Sequence, residues 1–187
     1  MRIPKSMTRI ANYAFTGCSG LTSIVVENGN TEYDSRENCN AIINTGTNEL
    51  VVGCKNSIIP NSVTNIGEGA FMHCNDLVSV TIPNSVISIG SYAFYGCRGL
   101  NSVTIGSGIT DIYHCAFSSC RSLTDVYCYP EVVPNTDEDA FSKTSLFINR
   151  IRVFVIESTL HVPKNSMSLY EQEYPWKLFK SIVGINQ

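Results

Sequence analysis

The middle of the chain repeats one sequence pattern at a fixed interval. The unit from Ile59 to Thr81 carries Ile-Pro-Asn-Ser-Val, Ile-Gly, Ala-Phe, Cys, Leu and Ser-Val-Thr in that order, and the pattern returns in 82–104. The positions of Phe71, Phe94 and Phe117 define a 23-residue period. A fixed period in the range of about 20–50 residues is typical of solenoids, in which similar coils stack along one axis.

Each unit has the composition of one coil that cannot bury its apolar side alone. Leu77, Val80 and Ile82 place apolar side chains on one side of a short strand, and Ser79 and Thr81 alternate with them. A second short extended segment and a short helical or 3-10 turn at Ala-Phe complete the unit. Stacking at about 4.8 Å per coil gives neighbouring coils shared backbone hydrogen bonds and one continuous core.

Further units flank the regular ones. A complete unit runs from Ile3 through Phe15 to Ile24, and a degenerate one contains Ala140-Phe141. The interval from Phe15 to Phe71 is more than twice the regular period, so a long extra stretch follows the first unit. Two apolar runs around Thr45-Gly46-Thr47-Asn48 in that stretch indicate a β-hairpin, which either projects from one coil or extends it.

The C-terminal part departs from the repeat and predicts a cap. Leu160-His161-Val162-Pro163 is expected to form a last strand, and Ser166 to begin a short helix. The aromatic segment after it can close the open end of the core. We therefore predict a solenoid over 1–156 with a hairpin insertion at about 27–58, and a cap over 157–187.

Composition and charge exclude several classes of protein. Apolar residues make up 43% of the 187 residues and charged residues 16%, which is typical of a globular chain. A net charge of −3 offers no basic surface for nucleic acid, and no apolar run approaches the roughly 20 residues of a membrane span. The chain starts in mid-repeat without a secretory signal, as expected for a piece of a longer protein.

The unit Ile-Pro-x-Ser-Val-x-x-Ile-Gly-x-x-Ala-Phe-x-x-Cys-x-x-Leu-x-Ser-Val-Thr closely resembles the BspA-like, or treponemal-type, leucine-rich repeat. The resemblance covers nearly the whole chain, including the hairpin stretch and the C-terminal ending. It implies an α/β leucine-rich-repeat solenoid from a secreted or surface-anchored bacterial protein that mediates adhesion to host matrix proteins or other cells. It implies no catalytic residues and no cofactor.

The eight cysteines fall into three groups. Four occupy the same repeat position and are expected to form a buried ladder of thiols, with no converging metal site: Cys18, Cys74, Cys97 and Cys120. If Asn44 pairs with Glu49 across the hairpin turn, Cys39 lies opposite Cys54, and the two are either bridged or reduced. Cys115 and Cys128 lie outside the ladder, Cys128 beyond the last regular strand.

Catalytic residues are not predicted. No phosphate loop, dinucleotide fingerprint, HExxH or GxSxG motif occurs. His114 beside Cys115, with Asp111 nearby, is the only cluster resembling a nucleophile site. Its members are adjacent in sequence, whereas catalytic partners normally meet through the fold. The chain is therefore not expected to be an enzyme.

The outward strand positions of the regular coils carry small polar side chains, such as Ser79 and Thr81. A ligand contact is predicted where this row of serines and threonines ends. The last coil carries Asp125, Tyr127 and Tyr129, followed by Glu131 and the acidic run 137–139. Exposed tyrosines beside carboxylates are typical of binding surfaces, although they can also simply lead into the cap. The hairpin tip is the alternative contact.

These features predict a monomeric repeat scaffold at a bacterial surface that binds a protein or glycan partner. Neither nucleic-acid binding nor membrane insertion is expected. Two rivals remain. One is a purely structural spacer of a longer surface protein. The other is an enzyme, or an accessory module of a hydrolase, that uses Cys115 or a histidine.

Overall fold

The computed structural model describes residues 1–18, 20–148 and 151–186. Its strands are β1 (Arg2–Ile3), β2 (Val25–Val26), β3 (Tyr33–Asp34), β4 (Ile42–Asn44), β5 (Glu49–Val52), β6 (Asn65–Ile66), β7 (Ser79–Ile82), β8 (Ser88–Ile89), β9 (Ser102–Ile105), β10 (Asp111–Ile112), β11 (Asp125–Cys128), β12 (Asn135–Thr136), β13 (Thr144–Ile148), β14 (Ile151–Pro163) and β15 (Phe179–Ile185). A four-residue helix, α1 (Met167–Tyr170), and 3-10 turns at Arg36–Asn38, Lys164–Ser166 and Trp176–Leu178 complete the described elements.

Successive coils stack in register, as the regular period of the sequence predicts. Each regular coil gives a four-residue strand to one sheet and a two-residue strand to a second sheet. The first, here called the strand sheet, joins β7, β9, β11, β14 and β15 in parallel, and β13 pairs antiparallel with β14. The second has the order β12-β10-β8-β6-β5-β4-β3. The predicted leucine-rich-repeat solenoid is confirmed.

Phenylalanines at one repeat position form a continuous stack through the core. The ring centroids of Phe71 and Phe94 are 4.8 Å apart, those of Phe94 and Phe117 4.9 Å, and those of Phe117 and Phe141 5.0 Å. These distances match the spacing of hydrogen-bonded strands, so one ring per coil fills the same layer. We call these four residues the phenylalanine ladder.

The Ala-Phe segment is a series of hydrogen-bonded turns rather than a regular helix. In one coil the amide of Ala93 donates to Gly90 O at 3.2 Å and that of Cys97 to Phe94 O at 3.2 Å. Gly96 closes the turn with φ of +68°, a left-handed conformation that costs glycine little. A Cβ at this glycine would lie 2.4 Å from Nδ1 of His73 in the coil before.

The predicted thiol ladder is confirmed for three of its four members. Cys74, Cys97 and Cys120 are buried. The thiol of Cys97 donates to Phe71 O at 3.0 Å, and that of Cys120 donates to Phe94 O at 3.1 Å, so each thiol fastens one coil to the next.

The prediction for Cys18 is wrong, since this residue is exposed. Gly53 of the hairpin lies against the ring of Phe71, where a further phenylalanine of the ladder would stand. Phe15 packs instead into a separate small core beside Ile3 and Ile42, so Cys18 lies outside the main core.

Burial of the thiols predicts a loss of stability at alkaline pH. It raises the pKa of Cys74 and of Cys128 from 9.0 to about 12. In the unfolded chain both ionise near 9, so the folded state binds more protons above that pH. Below about pH 9 the stabilising contribution of the neutral thiols is complete. Between about pH 9 and about pH 12 the free energy of unfolding falls by at most about 1.4 kcal/mol per pH unit for each thiol.

Urea unfolding between pH 8 and pH 11, with a reductant present, measures this slope. Replacing Cys74 and Cys128 by alanine should flatten it. An unchanged slope in the double variant would show that other groups cause the alkaline loss.

The hairpin extends the second sheet rather than projecting from it. β4 and β5 are antiparallel, and β5 pairs in parallel with β6. The side chains of Ile42 and Ile43 are fully buried on opposite sides of β4, Ile42 in the small core and Ile43 in the main one. The hairpin therefore lies between two cores.

No disulfide joins Cys39 to Cys54, and both are buried thiols. Ile43 pairs with Leu50, which is the predicted register, but Ile42 pairs with Val52. This irregularity shifts the strands by one residue before Cys39 is reached. It removes the alignment on which the bridge depended.

The C-terminal segment closes the last coil of the ladder. The predicted strand at Leu160–Pro163 is the end of the longer β14, and Cys128 lies inside β11 rather than beyond the regular strands. The predicted short helix is α1, although Ser166 makes no side-chain capping hydrogen bond. An unpredicted strand, β15, adds to the sheet. The domain boundary at 156 stays a prediction, and β14 runs through it.

Candidate functional site

The open face of the strand sheet changes character at β11. Alternation points every second side chain outward, and the row across the sheet is Thr81, Thr104, Tyr127, His161 and Val183. The neighbouring row is Ser79, Ser102, Asp125, Thr159 and Ser181. Small hydroxyl side chains thus give way to an acidic, an aromatic and an imidazole side chain on two adjacent strands.

Asp125, Tyr127 and His161 form one connected group, here called the strand-face cluster. The carboxylate oxygen Oδ1 of Asp125 lies 2.8 Å from Nε2 of His161. The rings of Tyr127 and His161 stack with centroids 4.3 Å apart and planes 11° from parallel. All three side chains are partly exposed. The sequence predicted two of these residues, and the structure adds the histidine.

Hydrogen bonds fix the charge of the Asp125 carboxylate. The contact with His161 lowers the pKa of Asp125, and a hydrogen bond from the Thr124 hydroxyl at 2.8 Å lowers it further. Asp125 is therefore ionised at neutral pH. It presents a fixed negative charge beside the aromatic pair.

Tyr129 lies at the border of the same face. Its amide donates to Ile105 O at 3.0 Å, and its side chain lines a shallow cleft with Thr81 and Thr104. Part of the acidic run lies elsewhere, since Asp139 is buried against the turn side of the coil before it. The predicted association of this run with the tyrosines is therefore not found for Asp139.

His114 and Cys115 meet a different carboxylate from the one that the sequence placed nearby. Asp111 belongs to β10 in the second sheet, where it accepts hydrogen bonds from Thr110 and Asn135. Asp139 approaches instead, with Oδ2 at 2.8 Å from His114 Nδ1. The thiol of Cys115 donates to the same oxygen at 3.4 Å. This trio lies in the turns that precede the Phe117 and Phe141 positions of the ladder.

Sequence reasoning missed His161 and Asp139 because both contacts join residues from different coils. A signal existed for His161, since the strand at 160–163 was predicted and alternation from buried Leu160 points His161 outward. For Asp139 the signal was its position within the repeat. Asp139 occupies in its coil the position that Cys115 occupies in the coil before, as Phe141 and Phe117 do.

The sequence matches the family described as BspA type leucine rich repeat region, with six copies over residues 1–51 and 49–160. A solved leucine rich cell surface protein from Faecalibacterium prausnitzii is similar over the whole chain, at 26% identity and a TM-score of 0.67. A leucine-rich repeat protein from Eubacterium ventriosum, at 18% identity over 98% of the chain and a TM-score of 0.55, shares the fold. The chain spans 48% and 56% of these two proteins.

No protein of curated function matches the sequence. Within the described part of the chain, no helix has the length and apolar character needed to cross a membrane.

Proposed function

Because the chain belongs to the family of BspA-type leucine-rich-repeat proteins, we propose that it is a binding scaffold at a bacterial cell surface and performs no catalysis. The observation that carries the proposal is the strand-face cluster of Asp125, Tyr127 and His161. Tyrosine is enriched among the few residues that dominate binding energy, and here the Tyr127 ring is stacked on that of His161. The location follows the name of the similar cell surface protein, of which this chain spans 48%.

The shape of this face favours a macromolecular partner over a small substrate. Five parallel strands at about 4.8 Å give a surface about 19 Å wide, with hydroxyl groups on both sides of Asp125. Small-molecule sites are concave pockets that enclose their ligand, whereas protein and polysaccharide partners lie across open surfaces. The partner is therefore expected to be a protein or a glycan.

An array of host matrix proteins and glycans tests the proposal. The unsubstituted chain should bind one ligand class saturably, and Tyr127→Ala should weaken that binding about 30-fold, because the loss of a buried aromatic contact costs about 2 kcal/mol. His161→Ala should weaken it as well, since it removes the stacking partner and the Asp125 hydrogen bond.

Tyr113→Ala is the matched control. This tyrosine is also exposed but follows β10, away from the strand sheet, so its loss should leave binding unchanged. A variant with Thr45→Ala and Thr47→Ala at the hairpin tip tests the alternative contact. Excising the hairpin would not test it, because β4 and β5 contribute to both cores. Absence of binding from the folded chain, or equal losses in the Tyr127 and Tyr113 variants, would contradict the proposal and favour the structural spacer.

A further inference from the structure

The trio of His114, Cys115 and Asp139 lies apart from the strand-face cluster, at the turn side of the solenoid. Among the residues that the structure describes, it is the one group of three histidine, cysteine, aspartate or glutamate side chains whose metal-ligating atoms lie close together. One donor atom from each residue lies within 4.8 Å of the other two. Asp139 is buried, Cys115 is half-buried and the imidazole of His114 is 48% exposed.

The backbone of Cys115 orients the Asp139 carboxylate. At the equivalent position of the two preceding coils, the amides of Gly69 and Tyr92 donate to a backbone carbonyl of the next coil, at 3.0 and 2.9 Å. In Cys115 the amide donates instead to Oδ1 of Asp139 at 3.0 Å. One carboxylate oxygen is thus fixed by the backbone, and Oδ2 faces the thiol and the imidazole.

From this geometry we infer that His114, Cys115 and Asp139 form a Zn²⁺ site with a fourth position open to solvent. Imidazole nitrogen, thiolate sulfur and carboxylate oxygen are the three ligand types that zinc takes in proteins. Tetrahedral zinc with bonds of about 2.0–2.3 Å separates its ligand atoms by about 3.3–3.7 Å. Oδ2 of Asp139 lies 2.8 Å from His114 Nδ1 and 3.4 Å from Cys115 Sγ, so a small opening admits the ion.

The same arrangement argues against a nucleophilic cysteine. In a cysteine protease-like triad, the imidazole stands between the thiol and the carboxylate, so that it can remove the thiol proton. Here the thiol and the imidazole both contact Oδ2 of Asp139, so the imidazole does not stand between the thiol and the carboxylate. A bound zinc ion suits this arrangement, because zinc deprotonates a coordinating thiol and offsets the carboxylate charge.

Titration of tag-free, metal-free protein with ZnCl₂ in competition with a chromophoric chelator tests the inference. We expect one equivalent to bind. Cys115→Ser, His114→Gln and Asp139→Asn should each weaken zinc binding by at least about 100-fold. Mutation of residues that only support a metal ligand already lowers metal affinity by up to about 100-fold. Co²⁺ in place of zinc should give a thiolate charge-transfer band, which Cys115→Ser abolishes.

Two control variants separate this site from adventitious binding. Cys18→Ser removes the exposed thiol. His73→Asn removes a histidine on the same turn side, and asparagine is a suitable replacement because it tolerates the left-handed backbone conformation of His73. Both should keep full affinity and the cobalt band. Circular dichroism verifies that every variant is folded, and Cys115→Ser, at a half-buried position, is the variant least expected to disturb packing. Binding that survives Cys115→Ser, follows Cys18, or is absent from the folded parent chain would overturn the inference.

Discussion

Replacing Phe94 by alanine should lower the free energy of unfolding by about 3–5 kcal/mol, the usual cost of deleting a fully buried aromatic ring. Phe94 has no solvent exposure and lies between two rings of the phenylalanine ladder, nearly parallel to both. Truncation would leave a cavity that the neighbours cannot fill, because strand hydrogen bonds on both sides hold the coils at a fixed spacing. Urea unfolding followed by circular dichroism measures the change.

Phe15→Ala is the matched control for this prediction. Phe15 occupies the same repeat position but lies half-buried in the small N-terminal core, outside the ladder. Its truncation should cost about 1 kcal/mol, in line with partial burial. Phe94→Leu, which keeps much of the volume, should remain folded if the alanine variant does not and should lose less stability. Equal losses in the free energy of unfolding for Phe15→Ala and Phe94→Ala would show that stacking in the ladder adds no stability at this repeat position.

The contrast between these two phenylalanines shows what the repeat could predict. Wherever coils follow one another at the regular period, the position within the repeat also determines the three-dimensional environment. The burial of Phe94 and Cys97 and the outward direction of Tyr127 could therefore be read directly. Phe15 and Cys18 carry the same motif, but the hairpin inserts Gly53 against Phe71 and so removes the neighbour that the motif assumes.

Contacts between coils were harder to predict than the coils themselves. The pairing of Asp125 with His161 depends on which strand follows β11 in the sheet, and that strand, β14, belongs to the irregular C-terminal part. The approach of Asp139 to His114 depends on a degenerate coil that no longer matches the consensus. Both are consequences of stacking register, which an isolated repeat does not encode.

Trp176→Ala should cost about 3–5 kcal/mol and should act first on the last coil. The Trp176 ring is fully buried, with its centroid 5.3 Å from that of Phe141, the last rung of the ladder. Its indole N–H donates to Pro134 O at 3.2 Å, so truncation also removes one of two hydrogen bonds to that carbonyl, which keeps the bond from the Thr136 hydroxyl at 3.0 Å. The residue therefore closes the end of the stack.

Hydrogen exchange with mass spectrometry distinguishes a cap from an ordinary core residue. In a solenoid each coil contacts only its neighbours, so loss of the end should loosen the terminal coil before the others. The amide of Phe117, which donates to Ala140 O at 2.7 Å, should exchange faster in the variant, while that of Phe71, bonded to Ala93 O at 2.7 Å, should keep most of its protection. Trp176→Phe retains an aromatic ring and should show a smaller effect. A uniform loss of protection across all coils would mean that Trp176 supports one cooperative unit rather than its end.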